Sequence, residues 1–166
     1  MASVLKVDNI KSTAGNQSIS ISEDGIPSLN VPMFSVGHSS NFSLTSAVTT
    51  LVPWNQTVID THEWYNSATG AYSPAIPGYY QFNTWMLAQA SASMGRILLR
   101  FYKNDIQYTS VDVQPGAATQ GGASLSVIDY MNGADSMSVY AYVNGTSPLL
   151  VGGTFSGFSG FLVRAA

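Results

Sequence analysis

The stretch that decides the fold is Thr69–Phe82, which reads TGAYSPAIPGYYQF. Its four aromatic residues surround two prolines and a glycine: Tyr72, Tyr79, Tyr80 and Phe82 with Pro74, Pro77 and Gly78. Proline cannot donate to a β-ladder, so the two prolines predict an extended entry into a strand that begins near Gly78. By themselves, aromatics this dense can line a ligand groove, stack on a sugar or build a core.

The residues after Gly78 alternate with the two-residue period of a β-strand. One face carries Tyr80, Phe82, Thr84, Met86 and Ala88, and the other carries Tyr79, Gln81, Asn83, Trp85 and Leu87. Large apolar groups lie on both faces. We therefore expect the strand to be covered on both sides, by a second sheet and by another subunit.

Further strands with turn residues between them fill the rest of the chain. Alternation predicts strands at Arg96–Lys103, Ile106–Val113, Ala123–Met131, Ser136–Val143 and Thr154–Val163. The pairs Asn104-Asp105, Pro115-Gly116, Asn132-Gly133 and Asn144-Gly145 are typical of turns. No window keeps an apolar stripe of helical period without interruption. The chain is therefore predicted to be an all-β sandwich or jelly roll.

The composition excludes several classes of function. Charged residues make up 9% of the 166 residues, the net charge is −3 and only six residues are basic, so the clustered cations that bind nucleic acid are missing. Cysteine is absent, which excludes a disulfide framework. No run of about 18 apolar residues indicates a membrane span. A surface with so few charges exposes large uncharged patches, which predicts an obligate oligomer.

No group of residues indicates catalysis or a resident metal. The two histidines, His38 and His62, are too few for a three-histidine site, and no second histidine completes the zinc motif that His62-Glu63 begins. The nucleophile-elbow and phosphate-loop motifs are absent, and the acidic residues are scattered. We expect no enzymatic activity, no cofactor and no metal. Whether three copies of an aspartate hold calcium on a threefold axis stays open.

Residues 1–30 are more polar than the rest of the chain. They contain two short alternating runs, Leu5–Val7 and Ile19–Ile21, which are followed by turn clusters at Ser12–Asn16 and Glu23–Gly25. Strands this short do not stand alone in water, so the segment needs a partner. We interpret residues 1–30 as an anchor or stalk and residues 31–166 as a head, with a flexible tail as the alternative. The candidate anchor residues are Leu5, Val7, Ile10, Ile19 and Ile21.

Seven positions that include the opening stretch resemble the signature of the C1q family in residue type and spacing. That signature is an aromatic residue, then Asn or Asp, then two further aromatics, then G-x-Y-x-F. The seven positions are Trp54, Asp60, Tyr65, Tyr72, Gly78, Tyr80 and Phe82. Phe158–Val163 resembles the family's last strand and Phe34 falls in its first-strand motif. Trp54 and Tyr72 stand where the family usually has Phe, and Ala134 interrupts its Gly-Asp loop. Residues 31–166 thus resemble the C1q domain, the trimeric jelly roll shared with tumour necrosis factor.

This resemblance implies a homotrimeric, C1q/TNF-like jelly-roll β-sandwich with a short N-terminal β stalk. In the family such aromatics fill the sandwich core and the threefold interface, which favours a structural role over a ligand groove for the opening stretch. The residues given a fold or trimer-core role are Phe34, Trp54, Asp60, Tyr65, Tyr72, Gly78, Tyr80, Phe82, Phe158, Gly160 and Phe161. Which of them face the trimer axis stays open.

Residues 5–25, LKVDNIKSTAGNQSISISEDG, resemble segments that precede C-terminal heads in virion proteins of tailed bacteriophages, especially cyanophages. The shared features are V-D-x-I, a Ser/Gly-rich run, an Ile-x-Ile strand and a D-G turn. The resemblance implies a non-enzymatic structural protein on the virion surface, whose partners are its own copies and the major capsid protein or another virion protein.

Two functions fit that class. The first is a trimeric capsid decoration, or cement, protein that binds the capsid exterior through its N-terminal segment and stabilises the shell. The second is the receptor-binding head of a short tail fibre that recognises a bacterial surface glycan, with Trp64 and Tyr65 as sugar-stacking candidates, although the motif favours a core position for Tyr65. A C1q-like adhesion module outside phages is the third alternative. The choice between capsid and tail, and the host, stay open.

Overall fold

A computed structural model describes residues 9–11 and 17–166 of the chain. The chain divides into two compact units, Met1–Val31 and Pro32–Ala166. Throughout the described residues the regular secondary structure is β. None of them belongs to a helix long and apolar enough to cross a membrane. Two predicted anchor residues, Leu5 and Val7, lie outside the described residues.

The N-terminal unit contains a three-stranded antiparallel sheet of β1 (Asn9–Lys11), β2 (Gln17–Ile21) and β3 (Pro27–Leu29), in that order. The turn predicted at Glu23–Gly25 joins β2 to β3. The Gly25 N–H donates to the Ser22 carbonyl at 2.9 Å, and Gly25 has φ +78°, which glycine adopts without strain. The alternating run Ile19–Ile21 indicated β2, whereas β1 (NIK) and β3 (PSL) each contain one aliphatic residue and show no alternation.

The head is a sandwich of two antiparallel sheets. In the first, which we call the β10 sheet, β10 (Gly78–Gln89) pairs along its whole length with β13 (Gln120–Met131). On its other side β10 pairs with β16 (Gly153–Ala165), followed by β4 (Met33–His38) and β7 (Gln56–Asp60). Two short strands, β15 (Leu149–Leu150) and β5 (Phe42–Ser43), extend the sheet at the end of β10.

The second sheet, which we call the β11 sheet, lies across the core from the first. Its order is β12 (Ile106–Val113), β11 (Arg96–Lys103), β14 (Met137–Asn144), β9 (Ala71–Tyr72) and β8 (Tyr65–Asn66), and β6 (Thr50–Leu51) also pairs with β14. The predicted bounds of β11 and β12 are confirmed. In contrast, β13 begins three residues before the predicted Ala123, because β10 supplies a ladder for Gln120–Gly122 even though two glycines there weaken the strand signal.

Aromatic side chains from both sheets meet in the core. The rings of Phe34 (β4) and Tyr72 (β9) stack with centroids 3.9 Å apart, and Phe158 approaches Phe34 edge-on at 4.7 Å. Such pairs contribute about 0.5–1.5 kcal/mol each beyond the area they bury. Other aromatic residues that are fully buried there are Trp54, Tyr80, Phe82 and Phe101. These contacts join the two sheets into one core.

Two glycines of the family motif allow this close packing. A Cβ atom on Gly160 would lie 2.8 Å from a ring carbon of Phe34 and 2.9 Å from one of Phe82. At Gly78 a Cβ would lie 2.5 Å from the Arg164 carbonyl oxygen, so the two backbones approach closely there. Any side chain at either position must displace a core ring or a neighbouring strand.

A polar cluster ties the two sheets together at one edge. The Lys103 ammonium, at the end of β11, donates to Asp129 Oδ2 of β13 at 2.8 Å and lies 3.5 Å from Asp135 Oδ2. The Asn104 amide donates to Asp135 Oδ1 at 2.8 Å. This amide, followed by the Asn132 N–H and the Lys103 ammonium, lowers the pKa of the Asp135 carboxyl against the opposing effect of its burial.

We predict that Gly160→Ala destabilises the head by about 1–3 kcal/mol, since the added methyl group overpacks the core at the Phe34 and Phe82 rings. Gly95→Ala is the matched control, because the nearest atom to a Cβ there is the Asn144 amide nitrogen at 3.7 Å. Thermal unfolding of both variants measures the difference. Equal melting temperatures would show that the rings yield without cost and that the glycine is not required.

We also predict that Lys103→Met lowers the free energy of unfolding at pH 7 by about 1–2 kcal/mol, because it leaves two partly buried carboxylates without a cation. The lowered pKa of Asp135 stabilises the fold above the unfolded carboxyl pKa of about 4, and this contribution is lost as the pH falls through the folded pKa. The difference from the unsubstituted protein must therefore shrink in urea titrations at about pH 3.

Arg96→Met is the control for this experiment. Arg96 pairs with Asp112 at 2.6 Å, but both side chains are well exposed, so its loss has little effect on stability at either pH. A Lys103→Met effect of the same size at both pH values would contradict the electrostatic explanation and leave packing of the lysine stem as the cause.

Candidate interaction surfaces

The outward face of the β10 sheet is the first candidate surface. Directly paired residues of neighbouring strands point to the same face, and Tyr79 pairs with Tyr130, Gln81 with Ile128 and Phe161, and Trp85 with Ser124 and Gly157. These outward residues lie on β10, β13 and β16, and Met33 of β4 continues the face beside Phe161. We call this surface the apolar face. Phe161 is 41% exposed and Ile128 is 56% exposed.

The two sheets differ in the charge on their outward faces. Along the rows of the apolar face from Gln81 to Leu87 no outward residue is charged, and Arg164 lies at the margin, paired with Tyr79. The β11 sheet instead presents the Arg96–Asp112 ion pair and the Arg100 guanidinium, which donates to Thr49 Oγ1 at 2.7 Å. Burying charges against a partner carries a large desolvation cost, whereas burying an uncharged apolar surface is favourable. The apolar face is therefore the better contact surface.

Trp85 has a fixed position near the middle of the apolar face. Its ring lies over Gly157, where a Cβ would come within 2.5 Å of the indole, and its N–H donates to the Thr154 carbonyl at 3.3 Å. The shallow groove beside Trp85 is also lined by Gln56 and Val58. None of its lining residues is acidic, basic or a histidine. This groove has none of the titratable groups that acid–base chemistry requires.

A second groove lies at the end of β10 and is formed by Gln89, Ala90, Ser91, Ser147 and Leu149. It too holds no titratable side chain. Among the described residues, no group of three or more histidine, aspartate or glutamate side chains could hold a metal ion. The two grooves therefore offer hydrogen-bonding and apolar contacts rather than catalytic groups.

The motif residues Asp60, Tyr65 and Trp54 form a connected unit at the edge of the core. Asp60 Oδ2 accepts from the Tyr65 N–H at 2.8 Å. The Tyr65 hydroxyl accepts from the Trp54 N–H at 2.9 Å and donates to the Trp54 carbonyl at 3.2 Å. Burial raises the pKa of Tyr65 despite this hydrogen bond. Tyr65 therefore holds the β6–β7 loop against β8, and its hydroxyl is not available to a sugar.

Trp64, the other predicted sugar-stacking residue, is partly buried. Its ring packs against His62 at 4.6 Å and against the core residue Tyr72 at 6.3 Å. The second histidine, His38, is buried between Phe42 and Trp54, with centroid distances of 4.9 and 5.3 Å. Burial lowers the pKa of His38, although a side-chain hydrogen bond to Asn55 opposes the shift. Both histidines therefore pack against aromatic side chains.

Most of the residues with a predicted fold or trimer role lie between the two sheets. Six of them are fully buried: Phe34, Trp54, Tyr72, Tyr80, Phe82 and Phe158. Phe161 points instead to the apolar face. The exposed residues Ile128, Tyr130 and Phe155 were not among the predicted site residues. Alternation along β13 would have found the first two, because Ser124, Ser126, Ile128 and Tyr130 share the two-residue period.

The N-terminal unit presents the second candidate surface. Ile10 of β1 pairs directly with Ile19 of β2, and Ile19 pairs with Leu29 of β3, so an apolar row crosses all three strands on one face. We call these three residues, two isoleucines and one leucine, the isoleucine row. Leu29 is 58% exposed, and Ile26, in the preceding turn, is 65% exposed. The predicted anchor residue Ile21 is also exposed, and Ile19 is half-buried.

Known proteins share this architecture. The C1q domain family model matches residues 33–163. No curated protein sequence matches the chain. Among solved structures, the globular domain of zebrafish complement 1qA protein aligns with a TM-score of 0.64 and 16% identity over 81% of this chain and 99% of that one. Eiger TNF from S. frugiperda aligns with a TM-score of 0.64 and 12% identity, over 82% of this chain and 94% of that one.

Identities this low show a shared fold alone, and they confirm the predicted C1q/TNF-like jelly roll. Domains of this type are generally non-enzymatic binding modules and often form trimers. The family match extends over nearly all of the Pro32–Ala166 unit and well over half of the whole chain. The chain belongs to the C1q domain family.

Proposed function

We propose that the chain is a non-enzymatic, homotrimeric structural protein of a tailed-phage virion, located on the capsid exterior. In this function it is a decoration, or cement, protein that binds the shell through its N-terminal unit and stabilises it. The observation that carries the proposal is the exposed isoleucine row on a unit too small to cover it.

The N-terminal unit needs a partner for physical reasons. Its strands contain three, five and three residues, and the described residues of this sheet leave Ile10, Ile26 and Leu29 exposed. Isolated sheets of this size are marginally stable in water, and an apolar row that stays exposed favours contact with another protein. Residues 5–25 resemble the segments that precede phage virion heads, which supports a major capsid protein or another virion protein as that partner.

The apolar face supports a homotrimer. A surface that carries aromatic side chains and no charge in its central rows can pack against identical copies without like-charge repulsion, and the family to which the chain belongs often forms trimers. A homotrimer matches the threefold and quasi-threefold positions of an icosahedral shell. Three N-terminal units per assembly would also bind the shell together, so that modest individual contacts combine into strong attachment.

Non-enzymatic binding fits the chemistry of the head. The groove beside Trp85 and the groove at the end of β10 are lined by hydroxyl, amide and apolar groups. Buried acids in the head are occupied by structural hydrogen bonds, as in the contact of Asp60 with Tyr65 and that of Asp135 with Asn104. These hydrogen bonds direct both carboxylates toward the protein itself.

A second candidate function, the receptor-binding head of a short tail fibre, is favoured by the loops at one end of the sandwich. Residues 90–95, 114–119 and 145–148 contain hydroxyl, amide and small apolar groups and no charge. They lie together, because the Met94 N–H donates to the Ala118 carbonyl and the Ser91 N–H donates to the Thr146 carbonyl, both at 2.9 Å. Such a surface suits a neutral bacterial glycan better than an acidic one.

For the anchor we predict that the double substitution Ile10→Asp and Leu29→Asp in the full chain reduces binding to protein-depleted phage particles at least tenfold. Two carboxylates in the isoleucine row oppose burial of that surface. Ile106→Asp is the control, since Ile106 is 73% exposed in the head and lies outside both candidate surfaces. Co-sedimentation with particles measures attachment, and thermal unfolding checks that the head stays intact.

Deletion of residues 1–30 extends the same test and is expected to leave a soluble trimer that no longer attaches. Continued decoration by the double variant or by the deleted chain would show that the anchor proposal is wrong. The number of copies per particle separates the two functions: hundreds of copies support capsid decoration, whereas a few dozen, with binding of the head to a glycan array, support the tail fibre.

A further inference from the structure

A line of polar residues crosses the middle of the apolar face. Ser126 of β13 pairs with Asn83 of β10, Asn83 pairs with Ser159 of β16, and Ser159 pairs with Ser35 of β4. Directly paired residues point to the same side of a sheet, so these four side chains form one transverse row across four adjacent strands. We call them the polar belt.

Apolar bands lie on both sides of the polar belt. The next row in the direction of Gly78 contains Ile128, Phe161 and Met33 with one polar residue, Gln81, and the row beyond it pairs Tyr79 with Tyr130, their ring centroids 5.5 Å apart. In the other direction Trp85 follows, paired with Ser124, and then Leu87. The polar belt therefore divides a mostly apolar surface into two bands at a fixed height along the strands.

The hydrogen bonds within one copy leave the polar belt partly unsatisfied. Asn83 Oδ1 accepts from Ser126 Oγ at 2.7 Å and from Gln81 Nε2 at 3.2 Å. Across the part of the chain that the structure describes, both side-chain hydrogen bonds of Asn83 go to Oδ1, and its amide nitrogen donates none. When the face is covered, this amide loses its water and must find an acceptor on the covering surface.

The apolar bands alone would not define how far one copy is displaced along another. Aromatic and aliphatic side chains pack favourably in several offsets, because the hydrophobic effect is not directional. A slip by one row moves a copy two residues along the strand, or about 6.6 Å. Such a slip places the amide of Asn83 against the Phe161 or Trp85 band of its neighbour. On β13, β10 and β16 each of those rows offers one polar side chain, Gln81 or Ser124, whereas every position of the polar belt is polar.

We propose that the polar belt fixes the axial register of three copies of this chain by matching the Asn83 amide of each copy to the polar belt of its neighbour. The inference rests on the proposed homotrimer and specifies its interface. Displacing one copy along the axis of a closed trimer puts two of the three interfaces out of register. Each amide left without an acceptor weakens association roughly tenfold, so the slipped trimer is disfavoured roughly a hundredfold. A single buried asparagine fixes the register of coiled coils by the same physics.

The test compares the full-length protein with the double substitution Asn83→Leu and Ser126→Ala, which makes the centre of the face apolar. We expect this variant to assemble at an equal or lower concentration than the unsubstituted chain, but into more than one species by native mass spectrometry. Methyl-labelled methionine reports the register directly, because Met33 lies in the row next to the polar belt. We expect one Met33 methyl signal before the substitutions and several after them.

Gln107→Leu with Ser110→Ala is the matched control, since it makes the same two kinds of change at exposed positions of β12 in the other sheet. The control should give one trimeric species and one Met33 signal.

Two results would overturn the inference without contradicting the proposed homotrimer of the unsubstituted chain. One is a variant that remains a single trimer with one Met33 signal. The other is a variant that only dissociates, with its midpoint raised about tenfold or more and still one signal, since the polar belt would then be an ordinary adhesive contact. A monomeric unsubstituted protein would overturn the proposed homotrimer itself.

Discussion

The stack of Phe34 on Tyr72 is the contact on which the rest of the head depends. It links β4 of the β10 sheet to β9 of the β11 sheet at 3.9 Å, and Gly160 leaves the space in which Phe34 and Phe82 lie. Because side chains alternate along a strand, placing Tyr80 and Phe82 in the core sends Tyr79, Gln81, Asn83 and Trp85 outward. The character of the outer surface therefore follows from the packing of the inner one.

This constraint explains how the molecule distributes its few charges. Ion pairs lie on the β11 sheet and at the edge where Lys103 joins the two sheets, whereas the central rows of the apolar face have none. A chain with 9% charged residues has too few charges to cover both faces of a sandwich. An uncharged face needs cover, and identical copies of the chain provide it without desolvating a charge. The N-terminal unit has an exposed apolar row of its own, for which we propose a different partner.

The sequence predicted the long strands and the core better than the surfaces. The alternation from Tyr79 to Leu87 shows which residues of β10 point inward, and the spacing from Trp54 to Phe82 indicates the jelly roll. Strands of two or three residues, such as β8 and β15, could not be predicted, because partner strands stabilise them rather than their own residues. The polar belt could not be predicted either, because it depends on the pairing of Asn83 with Ser126 and Ser159, which are far apart in the chain. In the N-terminal unit, nothing in the local pattern marked Ile26 or Leu29 as exposed.

The most direct test of this account is the molar mass of the full-length protein in solution, measured by sedimentation equilibrium at micromolar concentration. One chain has a mass of 17.6 kDa, so three copies joined through the apolar face give 3 × 17.6 = 52.8 kDa. We expect this trimeric mass, with no monomer at micromolar concentration. A mass of 17.6 kDa across that range would contradict it, because the apolar face would then be stable in contact with water.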